Sequence, residues 1–402
     1  MAFFHNRAVN LINLHTVIGS IAMGGGGAFY SVYLLKAGLS VPAVLLAMAV
    51  TFGLRLALRV FLLSFAIRIG LRWTVIIGTI LMAISFPFVA YVQGIGVALY
   101  LMIFAGAIAD TVYWPSFHAY FAALGDVEHR GQQLGIQVAA TSILGIVSPL
   151  VAAWSLVAFG PGVTFYATAA VQALAAVPLI WTPEIPIARK APGAFRAALS
   201  GAMLFVGDGW VAAGYFIVWQ VALFVALGES YMAYGGALAI AALVGAVSGL
   251  LLGRLIDSGG GQRAVWFSVS LIVCVIALRA VVLGHPALAV MANALGALVG
   301  ATYVPTLMTS VYNQAKRSPC VLRFHIAAEG GWDVGVTTGL GFAALLTWLG
   351  YPIAYAILIA LAGVAAVFVL LQRYYAGHRA ETITATLGVG ELQPQLGEVP
   401  KI

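Results

Sequence analysis

Three residues near the end of the chain, His325, Glu329 and Asp333, have types and spacing that could move protons. Their i, i+4, i+8 spacing puts them along one face of a helix. A histidine and a carboxyl removed from water can both titrate near neutral pH, so such a stripe can relay protons. The same three could also ligate a divalent ion. No Cys or Met continues the stripe, which speaks against soft metals, and no resident metal is expected. A second stripe, Asp110, Trp114 and His118, has the same spacing, and Arg55 and Arg59 form an i, i+4 pair. Asp208 with Trp210, and Tyr303 and Tyr312 with Asn313, add further polar and aromatic groups. No nucleophile–base pair or nucleotide motif accompanies them. None of Lys36, Lys190, Lys316 and Lys401 follows Gly and precedes Ser or Thr as a phosphate-binding loop requires. The chain is therefore not expected to be an enzyme or to carry a cofactor.

The elements that hold these residues follow from composition. The chain has 402 residues, 63% hydrophobic and only 8% charged. Soluble domains have about 25% charged residues, so a water-facing surface cannot be built here. Disorder is excluded by the same figures. The long, nearly continuous apolar runs predict an all-α membrane protein, since a β-barrel would alternate in segments of about ten residues. Twelve helices are expected, at 8–35, 40–67, 72–92, 95–123, 130–158, 162–182, 197–228, 231–256, 263–284, 286–314, 320–348 and 351–375. The N-terminus lacks a small-residue cleavage site and reads as a retained first span. Cys274 and Cys320 give no disulfide framework and read as packing residues.

Charge placement supports an even number of spans. With the N-terminus cytoplasmic, fifteen Lys and Arg residues fall at cytoplasmic ends and only Lys36 and Arg279 at the opposite ends. The net charge of +7 thus reflects loop orientation, and no nucleic-acid partner is expected. The polar connection Thr182–Phe195 lies near the middle of the chain. The chain therefore reads as a six-helix half over 1–182, a cytoplasmic linker over 183–196, a second half over 197–375 and a flexible cytoplasmic tail over 376–402. The halves echo each other: Tyr113-Trp114-Pro115 in span 4 is matched by Tyr303-Val304-Pro305 in span 10.

The loop after span 8 runs Gly253-Arg254-Leu255-Ile256-Asp257-Ser258-Gly259-Gly260-Gly261-Gln262-Arg263. It resembles the G-x-x-x-D-x-x-G-x-x-R loop pattern of the major facilitator superfamily (MFS). The loop after span 2 keeps Gly70 and Arg72 but lacks the Asp. Arg130-Gly131 with Gly135 is similar to the superfamily's span 5 start. The region Gly145–Ala152 holds Pro149 but lacks most of the flanking glycines of the superfamily's drug-exporter pattern.

The resemblance implies two pseudo-symmetric six-helix halves, with spans 1, 4, 7 and 10 lining a central cavity and spans 2 and 11 meeting between the halves. It implies gating by Gly253, Arg254, Asp257, Gly260, Arg263, Arg130 and Gly131. At about 1.5 Å per residue, Arg59 and Glu329 lie at similar depth, as do Arg55 and Asp333, so pairs Arg59–Glu329 and Arg55–Asp333 are expected. Charges at such depth are costly enough to need partners or a water-filled cavity. Asp110 is the leading candidate for coupling, with Trp114, His118, Asp208, His325, Tyr303, Tyr312 and Asn313 around it. Asn13, His15 and Tyr30 are the span 1 contribution to the cavity. The run Gly24–Gly27 in span 1 predicts either an opened helix or close helix packing.

The function expected is secondary active transport of a small organic solute, coupled to protons and working by alternating access. A non-transporting assembly factor or sensor, a divalent metal transporter and a uniporter are the alternatives. The expected setting is a bacterial inner (plasma) membrane, with both termini cytoplasmic and the chain a monomer whose partners are the lipid bilayer, the substrate and protons.

Overall fold

The computed structural model describes residues 6–124, 130–256 and 261–386, with side chains described at all of these except 130–140, 142, 249–256, 261 and 377–386. The described residues form helices and connections, with no strand among them. The long helices are α1 (Arg7–Lys36), α2 (Val41–Ile69), α3 (Leu71–Ala90), α4 (Val97–Leu124), α5 (Arg130–Ala158), α6 (Gly160–Trp181), α7 (Leu199–Ala226), α8 (Tyr231–Ile256), α9 (Gly261–Val281), α10 (Pro286–Arg317), α11 (Val321–Trp348) and α12 (Ile353–Ala376). Apart from the C-terminal end of the last helix, their ends fall within three residues of the expected ones, the widest gaps being 284 against Val281 and 314 against Arg317. The end signals are the ordinary ones. Proline sits in the first turn of α2, α6 and α10, and Gly70 with φ +91° ends α2.

Ten of these helices, among the described residues, are long and apolar enough to cross a membrane. The two outside that set are α5, of which Ile143–Ala158 counts as a shorter apolar helix, and α11. In α11, Arg323, Glu329 and Asp333 lower the hydropathy of an otherwise spanning length. The helix that begins at Ala360 runs on to Thr386, where a tail was expected from 376. Residues 372–386 contain no proline and are rich in helix formers, so nothing stops the helix at the membrane surface. The rest of the expected tail lies outside the described residues.

Packing places the polar stripes. Helices α3, α4 and α6 pack together with α1 against α5 and α6, while α7 packs on α11 and α12, and α9 on α10 and α12. The contacts between these two sets run mainly through α2 with α11 and α5 with α8. Helix α11 can serve both sides because its faces differ. Gly331, Gly335 and Gly339 lie at four-residue spacing against α7, where a Cβ would meet the backbone of Ala202 and Val206 or the side chain of Ala213. Such small residues let membrane helices approach closely. The opposite face carries His325, Glu329 and Asp333 toward α2 and α4.

Two local features depart from plain helices. The α-helical part of α1 stops at Gly24 and resumes at Tyr30 through a 3₁₀ stretch, Gly26–Phe29. Close packing occurs at the same place, since a Cβ on Gly26 would collide with Thr168 of α6. Helix α7 contains a π-helical stretch, Ala212–Val218.

The connection between α6 and α7 is docked against the bundle. Glu184 accepts from the Arg72 backbone N–H at 3.0 Å, and the Arg72 side chain lies 3.6 Å from its carboxylate. Arg72 also donates to the carbonyls of Ile180 and Thr182. The acid missing from the loop after span 2 is thus supplied by Glu184, more than a hundred residues away in sequence.

Candidate functional site

The centre of the site is one buried ion-pair network between α2 and α11. Asp333, fully buried, accepts from the Nε of both Arg55 and Arg59. Glu329 lies 3.6 Å from Arg55 and 3.7 Å from Arg59. Both expected pairs are present, but as parts of a four-membered cluster. The i, i+4 arginines straddle Asp333, and a guanidinium can reach two acceptors at once. Aromatic rings close one side: the Arg55 guanidinium lies 5.3 Å from the Phe52 ring centroid and 4.9 Å from that of Trp332. Cation–π contact of this kind strengthens where water is excluded.

His118 of α4 extends the network toward α10. Its Nε2 is 3.5 Å from Glu329 and its Nδ1 is 3.2 Å from the Tyr312 hydroxyl. A neutral ring donating from Nε2 and accepting from Tyr312 satisfies both contacts, and a doubly protonated ring would strengthen the first. His325 stacks on His118 with centroids 5.7 Å apart, and its Nε2 has no hydrogen-bond partner among the described residues. One path of polar groups therefore joins α2, α4, α10 and α11. His325, Glu329 and Asp333 do not converge on a common point, because Asp333 is held by the arginines. Among the described residues no three His, Cys, Asp or Glu side chains are grouped as metal ligands.

Two further carboxyls sit nearby without a salt bridge among the described residues. Asp110 lies one turn before Trp114 on α4. Asp208 accepts from the Tyr303 hydroxyl at 2.8 Å. Trp210 instead donates to Thr338 at 2.9 Å. Asn313 is half-buried next to Tyr312, and the structure does not bring it into the network.

Other expectations fall elsewhere. His15 uses both ring nitrogens among α1, α4 and α6, donating to the Ala175 carbonyl at 2.7 Å and accepting from Tyr113 at 2.9 Å. Its role is to tie those helices together. Arg279, counted in the sequence as a charge at a helix end, is in fact buried with 3% exposure. It donates to the Tyr215 carbonyl within the π stretch of α7 and stacks on Tyr215 and Trp219, at 4.1 and 4.6 Å. Of the gating-loop candidates, Asp257 and Gly260 lie outside the described residues. The side chains of Gly253, Arg254, Arg130 and Gly131 do so as well. Arg263 is exposed at the start of α9.

Sequence reasoning missed Phe52, Trp332, Glu184 and the burial of Arg279. The first two had a signal, since Phe52 lies one turn before Arg55 and Trp332 adjoins Asp333. Glu184 and Arg279 had none, because their partners are set by tertiary packing.

A bundle in which ten helices, among the described residues, are long and apolar enough to cross a membrane defines an integral membrane protein. The profile of the Major Facilitator Superfamily matches residues 14–321, and the chain belongs to that family of membrane transporters. No curated protein matches it. Among solved structures it is similar to the human organic anion transporter MFSD10 (TETRAN), with a TM-score of 0.63 at 16% identity over 91% of this chain and 99% of that one. It is also similar to a POT family transporter in complex with 5-aminolevulinic acid, with a TM-score of 0.66 at 11% identity over 91% and 95%. At these identities the likeness is one of fold.

Proposed function

We propose that the chain is a proton-coupled secondary transporter of a small organic solute, with twelve spans in two six-helix halves. The linker and both termini are cytoplasmic in this reading. The observation that carries it is the buried network Arg55–Arg59–Asp333–Glu329–His118–Tyr312. It crosses between α2 and α4 on one side and α10 and α11 on the other. Arg55 and Arg59 balance Asp333 and Glu329, which leaves Asp110 and Asp208 as carboxyls deep in a bilayer without a salt bridge among the described residues. A carboxyl so placed needs a proton or a cationic ligand, because an unpaired charge there is costly. His118 touches Glu329 from the first half, so a proton arriving at either residue changes the contact between halves. The network thereby links titration to rocking of the halves, and alternating access needs such a link.

The test uses the full chain in proteoliposomes that contain a pH-sensitive dye and are challenged with a panel of small metabolites. A coupled substrate moves protons with it, and Asp110→Asn abolishes that proton movement while leaving the fold intact. Substrate uptake in the parent protein with no proton movement would instead support uniport. Uptake of nothing in the panel, together with no ligand-induced thermal shift, would favour a non-transporting membrane protein.

A further inference from the structure

A second polar feature lies far from the central network, where the linker meets the end of α11. Here the linker residues after Ala188 and Arg323 of α11 enclose an open-mouthed cavity of about 570 Å³. Arg189, Lys190, Arg196 and Arg323 line it, and none of the lining residues is acidic. The nearest acid in the linker sequence, Glu184, is committed to Arg72. Arg323 is fixed in place by donating to the carbonyls of Ala188 and Arg189, at 3.1 and 2.7 Å. Its Nε is buried and has no hydrogen-bond partner among the described residues. Four cations lining one cavity with no acidic side chain among the described lining residues repel one another, and a bound anion removes that repulsion.

The mouth of the cavity identifies the source of the anion. Phe195, also in the lining, is 49% exposed, and Leu199 at the start of α7 is 61% exposed. Basic groups beside exposed apolar side chains, at the level where α7 and α11 begin, match the boundary between lipid headgroups and acyl chains. The cavity volume lies in the range of small-molecule sites and has room for a headgroup. We propose that this basin binds the phosphate headgroup of an anionic membrane phospholipid, tying the linker to α11. The recognition is charge-assisted contact from three exposed cations and one fixed guanidinium, with the acyl chains lying along Phe195 and Leu199.

Native mass spectrometry of the detergent-solubilised full chain tests this directly. Phosphatidylglycerol is expected to form a one-lipid adduct at roughly tenfold lower concentration than phosphatidylcholine, as three or four cations near a headgroup imply. The triple variant Arg189→Gln, Lys190→Gln, Arg196→Gln removes only exposed side chains and is expected to erase that preference with an unchanged circular-dichroism melt. A control variant, Arg7→Gln, Arg68→Gln, Arg373→Gln, removes exposed cations predicted for the same membrane side and is expected to retain it. Equal binding of the two lipids overturns the proposal. So does a preference that survives the first variant, or one lost equally in the control, which would mean diffuse charge attraction. Millimolar inorganic phosphate is expected to leave the adduct in place. Complete displacement would make this a site for free anions and overturn the lipid assignment.

Discussion

At the scale of single residues, Asp333 and Asp110 are both acids on membrane helices, yet they should fail differently when neutralised. Asp333 is fully buried and accepts from two arginines. Asp333→Asn leaves those arginines with Glu329 as the one carboxylate in contact, and breaking one side of a buried ion pair costs about 3–5 kcal/mol. The expected outcome is a large loss of stability in chemical unfolding from detergent micelles. Asp110 makes no salt bridge among the described residues, so Asp110→Asn should change stability by less than about 1 kcal/mol while removing the proposed coupling. Equal destabilisation by the two substitutions would count against this division of roles. The stripes themselves were legible because helical spacing is regular: once His325, Glu329 and Asp333 share a helix, they share a face. Sharing of partners was not legible, because which carboxylate two arginines choose depends on ångström-scale approach between α2 and α11. The burial of Arg279 was hidden for a related reason. Its aromatic partners belong to α7, and no pattern in α9 announces that a residue near its end folds inward over a π stretch.

At the scale of elements, helix positions followed from apolar run length, prolines in first turns and the turn glycines. That is why α5 and α8 matched the expected bounds at both ends. What the runs could not convey is which helix lies against which. The glycine row on α11 carries part of that information. Gly331, Gly335 and Gly339 recur every four residues on the face away from the charged stripe, and they set how closely α11 seats on α7. At Gly335 the missing Cβ leaves room for the Val206 carbonyl and for Gly209 of α7. Backbone cannot give way there as a flexible side chain would. Gly335→Ala is therefore expected to destabilise the protein by about 1–3 kcal/mol, the usual cost of overpacking. It should also compress and distort the Arg55–Asp333 contact, because α11 is pushed toward α2. Gly341, with nothing near its Cβ position, serves as the comparison, and Gly341→Ala should be neutral or mildly stabilising. Thermal unfolding of both variants in the same detergent checks the contrast. A Gly335→Ala protein as stable as the parent would mean that the tight α7–α11 seat does not constrain the fold.

At the scale of the whole molecule, contacts between the two helix sets occur at both ends of the bundle as well as in its middle. At one end Lys36 of α1 lies 3.3 Å from Glu229, and Phe29 packs edge-on against Tyr231 and Tyr234 of α8, with centroids 6.0 and 5.4 Å apart. Tyr234 also donates to the Ala28 carbonyl, next to the 3₁₀ break in α1. Toward the other end His118 meets Tyr312 and His325. Alternating access requires that these seals open one at a time. The two are not equally strong. The Lys36–Glu229 pair is about half exposed and so worth roughly 0–1 kcal/mol, leaving the aromatic packing around Phe29 to hold that end. The seal around His118 depends on protonation, since a charged ring attracts Glu329 more strongly than a neutral one. Sign follows directly. Protonation of His118 tightens the His118 end and shifts the population toward opening at the Lys36 end; its deprotonation does the reverse. Spin labels placed at Lys36 and Glu229 report one end, and labels at Ala123 and Arg317 the other, with Cys274 and Cys320 replaced by Ser. Pulsed electron resonance across a pH series is expected to show the Lys36–Glu229 distance lengthening at low pH as the Ala123–Arg317 distance shortens. Replacing His118 by Gln should flatten both responses, since Gln keeps hydrogen bonding without gaining charge. Distances that move together, or a pH response that persists in His118→Gln, would show that this histidine is not what couples protonation to the motion of the halves.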